Sequence, residues 1–169
     1  MTLGRRRPRD PVDSRAARAE NERAVTDQEL RHHLYAATVE LGRPPDSAAV
    51  AEALGVAPAE VLAGFQRLRA SRLLFLARDT GEIVMAPPFS AVPTGLLVET
   101  PRRSYFANCV WDAYGVAAAL GSDATVRASC ACCGEPMTLA VAGGRALPAP
   151  GVAHFAVPAA HWWDDLPYT

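Results

Sequence analysis

Apolar residues recur at helical spacing at Leu30, Leu34, Ala37 and Leu41, behind Thr26 and Glu29 in capping-box order and ahead of Gly42 and Pro44. That pattern predicts a helix with one buried face. A second helix is predicted from Asp46 or Ser47 through Val50 and Leu54 to Gly55. A third begins near Pro58 and turns Val61, Leu62, Phe65 and Leu68 inward. Two apolar runs follow, 73–76 and 83–86, separated by Arg78-Asp79-Thr80-Gly81, a turn sequence whose glycine can take a positive dihedral.

Three helices and then a hairpin is the order of a winged-helix unit, here 26–86. If such a unit bound DNA, the helix starting near Pro58 would be its recognition helix, with Gln66, Arg67, Arg69 and Arg72 facing phosphates or bases. The same architecture also serves as a plain scaffold, because topology alone proves no function. Prolines and glycines from Pro87 to Pro101 predict a linker, 87–101, leading into a second unit, 102–169. That unit has one helical candidate, 106 to about 120, and strand-like segments at 124–128, 137–142 and 152–157. The expected fold class is α+β, a winged-helix-like domain followed by a small α+β domain.

Composition narrows the partners. The chain has 169 residues, half of them apolar, with 17 arginines and no lysine against 18 acids, for a net charge of -1. Neither a histone-like basic protein nor an acidic solvating chain has that balance. Seven arginines fall between Arg5 and Arg23, so 1–25 is expected to be a basic, flexible lead-in, a solvated terminus or a segment touching phosphates. No apolar run approaches the roughly 20 residues that cross a bilayer, and no apolar stretch of a signal peptide follows the basic start. A cytoplasmic protein with no membrane partner is expected.

Candidate chemistry gathers in the second unit. Cys109 and Asp112 stand three positions apart, which on a helix puts thiol and carboxylate on one face, with Val116 and Leu120 continuing the stripe. Two polar groups heading an apolar face must find partners. The alternative is an inert cysteine and an aspartate that ties down a loop. Cys130, Cys132 and Cys133 lie too close together for an ordinary disulfide framework, and Cys130 to Cys133 is a C-x-x-C, half of a zinc constellation. His154 and His161 would have to complete a structural zinc site through tertiary approach. The closing His161-Trp162-Trp163-Asp164-Asp165 supplies a large aromatic surface, either a packing lid or one that excludes water from a pocket near Cys109.

Taken in order, Ala86-Pro87-Pro88-Phe89-Ser90, Asn108-Cys109-Val110-Trp111-Asp112, Cys130 through Pro136, and Val152-Ala153-His154-Phe155 leading to Trp162-Trp163-Asp164-Asp165 resemble the alkylmercury lyase (organomercurial lyase) family. The resemblance implies a winged-helix-like first domain and a catalytic second one. It implies that Cys109 and Asp112 act with a second, distant cysteine to cleave a carbon-mercury bond, in a pocket that includes Trp111, His154, Trp162 and Trp163. It matches Cys130 to a cysteine that is structural in the family and Cys133 to a variable position. The sequence through Thr169 offers no clear match for the second catalytic cysteine, so either the chain is C-terminally truncated or that ligand is lost.

The chemistry expected from the resemblance is thiolate capture of a soft metal and protonation of the departing carbon, with Asp112 carrying the proton. The partner is a small organomercurial and mercuric ion is the product. No cofactor is required beyond a second thiol, from Cys130, Cys132 or Cys133, from another subunit, or from a small molecule. Two other classes fit the residues: a winged-helix regulator sensing soft metal or oxidant through its thiols, and an inactive family member with a structural or interaction role.

Overall fold

The computed structural model describes residues 25–163, so the basic lead-in before Val25 and the Asp164-Asp165 pair lie outside the described residues. Helix α1 (Asp27–Leu41) starts at a full capping box. Thr26 Oγ1 accepts from the Glu29 amide at 3.2 Å, and the Glu29 carboxylate accepts from the Thr26 amide at 3.1 Å. It stops at Gly42, whose φ of 84° suits glycine. Its buried stripe is Leu30, Leu34 and Thr38, and Leu41 is 55% exposed. The expected Leu41 therefore yields to a threonine one helical turn after Leu34. Thr38 is tolerated in the core because its hydroxyl donates to the Leu34 carbonyl at 2.7 Å.

Helix α2 (Ser47–Leu54) is capped by Asp46, whose carboxylate accepts from the Ala49 amide, and is tied to the following hairpin by Ser47, whose amide and hydroxyl donate to Glu82. Helix α3 (Pro58–Ala70) opens on proline and buries Val61, Gly64, Phe65 and Leu68. A side chain at Gly64 would run into Leu30, so glycine lets α1 and α3 approach closely. Strands β1 (Phe75–Leu76), β2 (Ile83–Ala86) and β3 (Phe89–Ser90) form a three-stranded antiparallel sheet in that order. Leu30, Leu34, Val50, Phe65, Leu74 and Leu76 are the heart of this first core.

The 87–101 stretch carries β3 and, beyond it, β4 (Leu97–Glu99). Strand β5 (Ser104–Phe106) pairs with β4, so Phe106 closes a strand where a helix start is expected. Helix α4 covers Val110–Leu120. Strands β6 (Ala124–Ser129), β7 (Pro136–Ala142) and β8 (Arg145–Ala146) complete an antiparallel sheet of order β5-β4-β6-β7-β8. No strand forms at 152–157. Pro150, Gly151 and Pro158 bracket that segment, and Val152 is 92% exposed, so it offers neither a regular backbone nor an apolar face to the sheet. The second core packs α4, through Ala113, Val116 and Ala117, against Val98, Tyr105 and Val126.

Helices and antiparallel sheets in one chain make the fold α+β, as expected. The two cores meet on α1 and β3. Tyr35 packs against both, the Tyr105 hydroxyl donates to the Val39 carbonyl at 3.0 Å, and Arg102 pairs with Glu40 at 2.7 Å. Among the described residues no single helix is long and apolar enough to cross a membrane.

Candidate functional site

Cys109 is the N-cap of α4, not a residue of its first turn, with extended φ and ψ of -143° and 177°. The chain arrives there from β5, and Thr94 holds it in place by donating to the Ala107 carbonyl at 2.6 Å. The Cys109 carbonyl accepts from the Ala113 amide at 2.9 Å, the first bond of the helix. Asp112 is then the third helical residue, whose side chain in a capping box reaches back to the N-cap backbone amide and so comes beside the N-cap side chain. The Cys109 thiol donates to Asp112 Oδ2 at 3.5 Å. The expected thiol-carboxylate pair is thus brought together, by cap geometry and not by a shared helical stripe.

Opposing influences act on the pair. Burial, helped by the nearby carboxylate, pushes the Cys109 thiol above its ordinary value, against the weaker pull of the Trp111 and Asp112 amides, which lie near the sulfur without capping through it. Burial likewise raises the Asp112 carboxyl, against hydrogen bonding from Cys109 and the amide of Asn108. The Asn108 amide nitrogen is buried near Asp112 and makes no hydrogen bond of ordinary geometry. Desolvation dominates at both groups, so each holds its proton more firmly than in water.

The sign of the stability effect follows. A carboxyl raised in the folded state contributes a penalty that appears as pH climbs past the unfolded value of about 4. Asp112→Asn removes that penalty, so the melting temperature of the variant minus that of the native chain should increase from about pH 4 to pH 7. A difference that stays flat across this range in thermal melts would contradict the assigned environment of Asp112. Cys109 has the same sign at higher pH, with stability falling above the ordinary thiol range.

Cys109 and Asp112 open into a hollow of about 350 Å³, within the size range of small-molecule sites. Trp111, Trp162 and Trp163 line it, as does Phe155, whose ring lies 5.1 Å from that of Trp162. The Trp162 indole donates to the Val157 carbonyl at 2.7 Å, which meets the polar need of a half-buried tryptophan. Trp111 is 68% exposed and stands at the rim. The opposite wall is formed by Met85, Pro87 and Ser90, so the hollow lies at the junction of the two units and not inside 102–169.

Sequence spacing singles out neither Asn108 nor the wall from the first unit. Asn108 adjoins the cysteine and stands in the Asn108-to-Asp112 motif of the resemblance, and those are the signals that point to it. The wall depends on tertiary packing that spacing does not encode. His154 does not line this hollow. It borders a second one, of about 500 Å³, together with Cys130. The two hollows share Thr94 and Asn108 as walls.

Cys130, Cys132 and Cys133 sit at the turn between β6 and β7, with Cys132 and Cys133 exposed, and none of them lines the Cys109 hollow. Among the described residues no group of three or more His, Cys, Asp or Glu side chains is placed to hold one metal ion, so the donors do not fit a four-coordinate structural zinc. Gln66, Arg67, Arg69 and Arg72 are all exposed near the end of α3, and Arg67 is occupied by Asp27 at 2.7 Å.

Residues 89–169 match the family model for alkylmercury lyase (MerB), which bears out the resemblance read from the sequence over the part that holds Cys109, Asp112 and the tryptophans. A solved structure described as the mercury-bound form of MerB2 has a similar fold, with a TM-score of 0.55 and 22% sequence identity. The similarity covers 72% of this chain and 60% of that one, so this chain spans less than two thirds of its length. Comparison with curated proteins finds no match.

Proposed function

We propose, from the alkylmercury lyase match and the hydrogen-bonded Cys109–Asp112 pair together, that this chain captures an organomercurial at Cys109 and protonates its carbon as the carbon-mercury bond breaks. The observation that carries the reading is the 3.5 Å hydrogen bond from a thiol to a carboxylate, both raised in proton affinity by burial, inside a hollow of about 350 Å³. The mercury-bound MerB2 structure, similar in fold, supports mercury as the metal.

In the first step the Cys109 sulfur forms a bond to mercury and the displaced ligand leaves with the thiol proton, relayed by Asp112. In the second, another thiol adds to mercury and gives its proton to Asp112. The carbon-mercury electron pair takes up that proton, hydrocarbon leaves, and mercury stays divalent between two sulfurs. No other cysteine lines the hollow, and a small external thiol fits the second role. The aromatic wall excludes water and accepts the organic group. The three helices and three-stranded sheet of the first half support a winged-helix-like scaffold, whose part is to supply the wall at Met85 and Pro87.

The test is release of hydrocarbon and mercuric ion from an organomercurial, with and without a small thiol. Turnover is expected with thiol. Asp112→Asn should still capture the organomercurial but release hydrocarbon about 10²–10⁴-fold more slowly, the usual worth of a positioned proton carrier. Absence of release under both conditions would reject turnover, and equal rates for the native chain and the variant would reject the role of Asp112.

A further inference from the structure

The β6–β7 hairpin ends in a thiol-rich turn that the Cys109 chemistry does not use. Ser129 and Pro136 are its last paired residues. Beyond them the Cys130 amide donates to the Glu135 carbonyl at 2.8 Å, and the Gly134 amide donates to the Cys130 carbonyl at 2.8 Å. Gly134, at a φ of 75°, closes the loop in a conformation that a side chain would disfavour. These bonds fold the turn back on its first cysteine, which brings the Cys133 thiol beside that of Cys130. None of the four cysteines of the chain is in a disulfide.

We propose that Cys130 and Cys133 form a second soft-metal site, a two-sulfur clasp for a mercuric ion at the tip of this hairpin. The donor set selects the ion. Two thiolates leave a tetrahedral zinc short of ligands, but they satisfy mercury, which is content with two sulfurs. Binding forms two sulfur-mercury bonds and releases the two thiol protons to solvent, with no change of oxidation state. Access is direct, because Cys133 is exposed and Cys130 borders the second hollow. That hollow meets the Cys109 hollow at Asn108 and Thr94, which puts the clasp next door to the place where mercuric ion would be produced.

The test is made in Cys109→Ser protein, so it does not depend on the lyase reading. Mercuric ion is added against a competing small thiol, with sulfur-to-mercury charge-transfer absorbance and the intact mass as readouts. Cys109→Ser should retain a single mercuric ion. Adding Cys133→Ser should reduce the tolerated competitor about 10²-fold, the scale of losing an intramolecular second ligand. Adding Cys132→Ser, which keeps the amide, should change nothing. The proposal is overturned if Cys109→Ser retains no ion, if Cys133→Ser leaves retention unchanged, or if Cys132→Ser causes the loss. All three cysteines lie on a turn outside both cores, and circular dichroism of each variant should match that of the native chain.

Discussion

Cys109→Ser should lose organomercurial turnover on the order of 10⁶-fold, the scale on which deleting a nucleophile acts elsewhere, while folding at least as stably as the native chain. The first half of that expectation follows from softness. A serine hydroxyl is a hard donor that stays protonated at any working pH, so it offers mercury neither polarizability nor charge. The second half follows from the position. Cys109 is an N-cap whose side chain makes no capping hydrogen bond, and serine is among the residues that cap best. With Asp112 three residues on, a serine hydroxyl in place of the thiol would complete a capping pair and gain up to about 1 kcal/mol. The expected pattern is therefore lost turnover with an unchanged or higher melting temperature, whatever the exposed Cys132 and Cys133 thiols bind. A variant that releases hydrocarbon as fast as the native chain would overturn the role of Cys109. One that loses turnover only because it melts earlier would turn Cys109 into a packing residue. The same position explains why the native residue is worth its cost: a weaker cap is kept where a sulfur at a helix start can face a carboxyl.

How far this site is legible in the sequence depends on the range of the interactions. The capping box at Thr26 and Glu29, the stop at Gly42 and the proline start of α3 are local, and each element stands where spacing puts it. The pairing of Cys109 with Asp112 is also local, although its basis is the cap and not the helical stripe, because β5 runs through Phe106 and delays the helix to Val110. Periodicity fails where a polar side chain can satisfy itself: Thr38 takes the buried place expected of Leu41 by bonding Leu34. It fails again at 152–157, where alternating apolar residues have no strand edge to join. The far wall of the hollow, Met85, Pro87 and Ser90, is beyond reach of spacing, since it arises from the way β3 folds one core onto the other.

That junction rests on Phe89, and Phe89→Ala should cost about 3–5 kcal/mol, the range for emptying a buried aromatic site. The ring is 2% exposed and packs at 5.4 Å from the ring of Tyr105 and, edge-on, at 6.4 Å from that of Tyr35. Tyr105 and Tyr35 are in turn anchored, their hydroxyls donating to the carbonyls of Val39 and Pro87 at 3.0 and 2.9 Å. The neighbours therefore cannot collapse into the vacated space without breaking those bonds, which argues for the upper part of the range. Phe89 also pairs with Ala86 of the first sheet and bridges to Ala107, two residues before Cys109. Loss of the ring should consequently loosen both the Met85–Pro87 wall and the approach to the N-cap. In thermal melts, at roughly 2–4 °C per kcal/mol for a chain of this size, the native transition should fall by roughly 6–20 °C. Organomercurial affinity should weaken even at temperatures where the variant is folded. Phe89→Leu, which refills most of the volume, should recover the larger part of both. A loss below about 1 kcal/mol, well under the cost of an unfilled aromatic cavity, would mean that the two cores hold together without this ring and that the hollow owes its shape to other contacts.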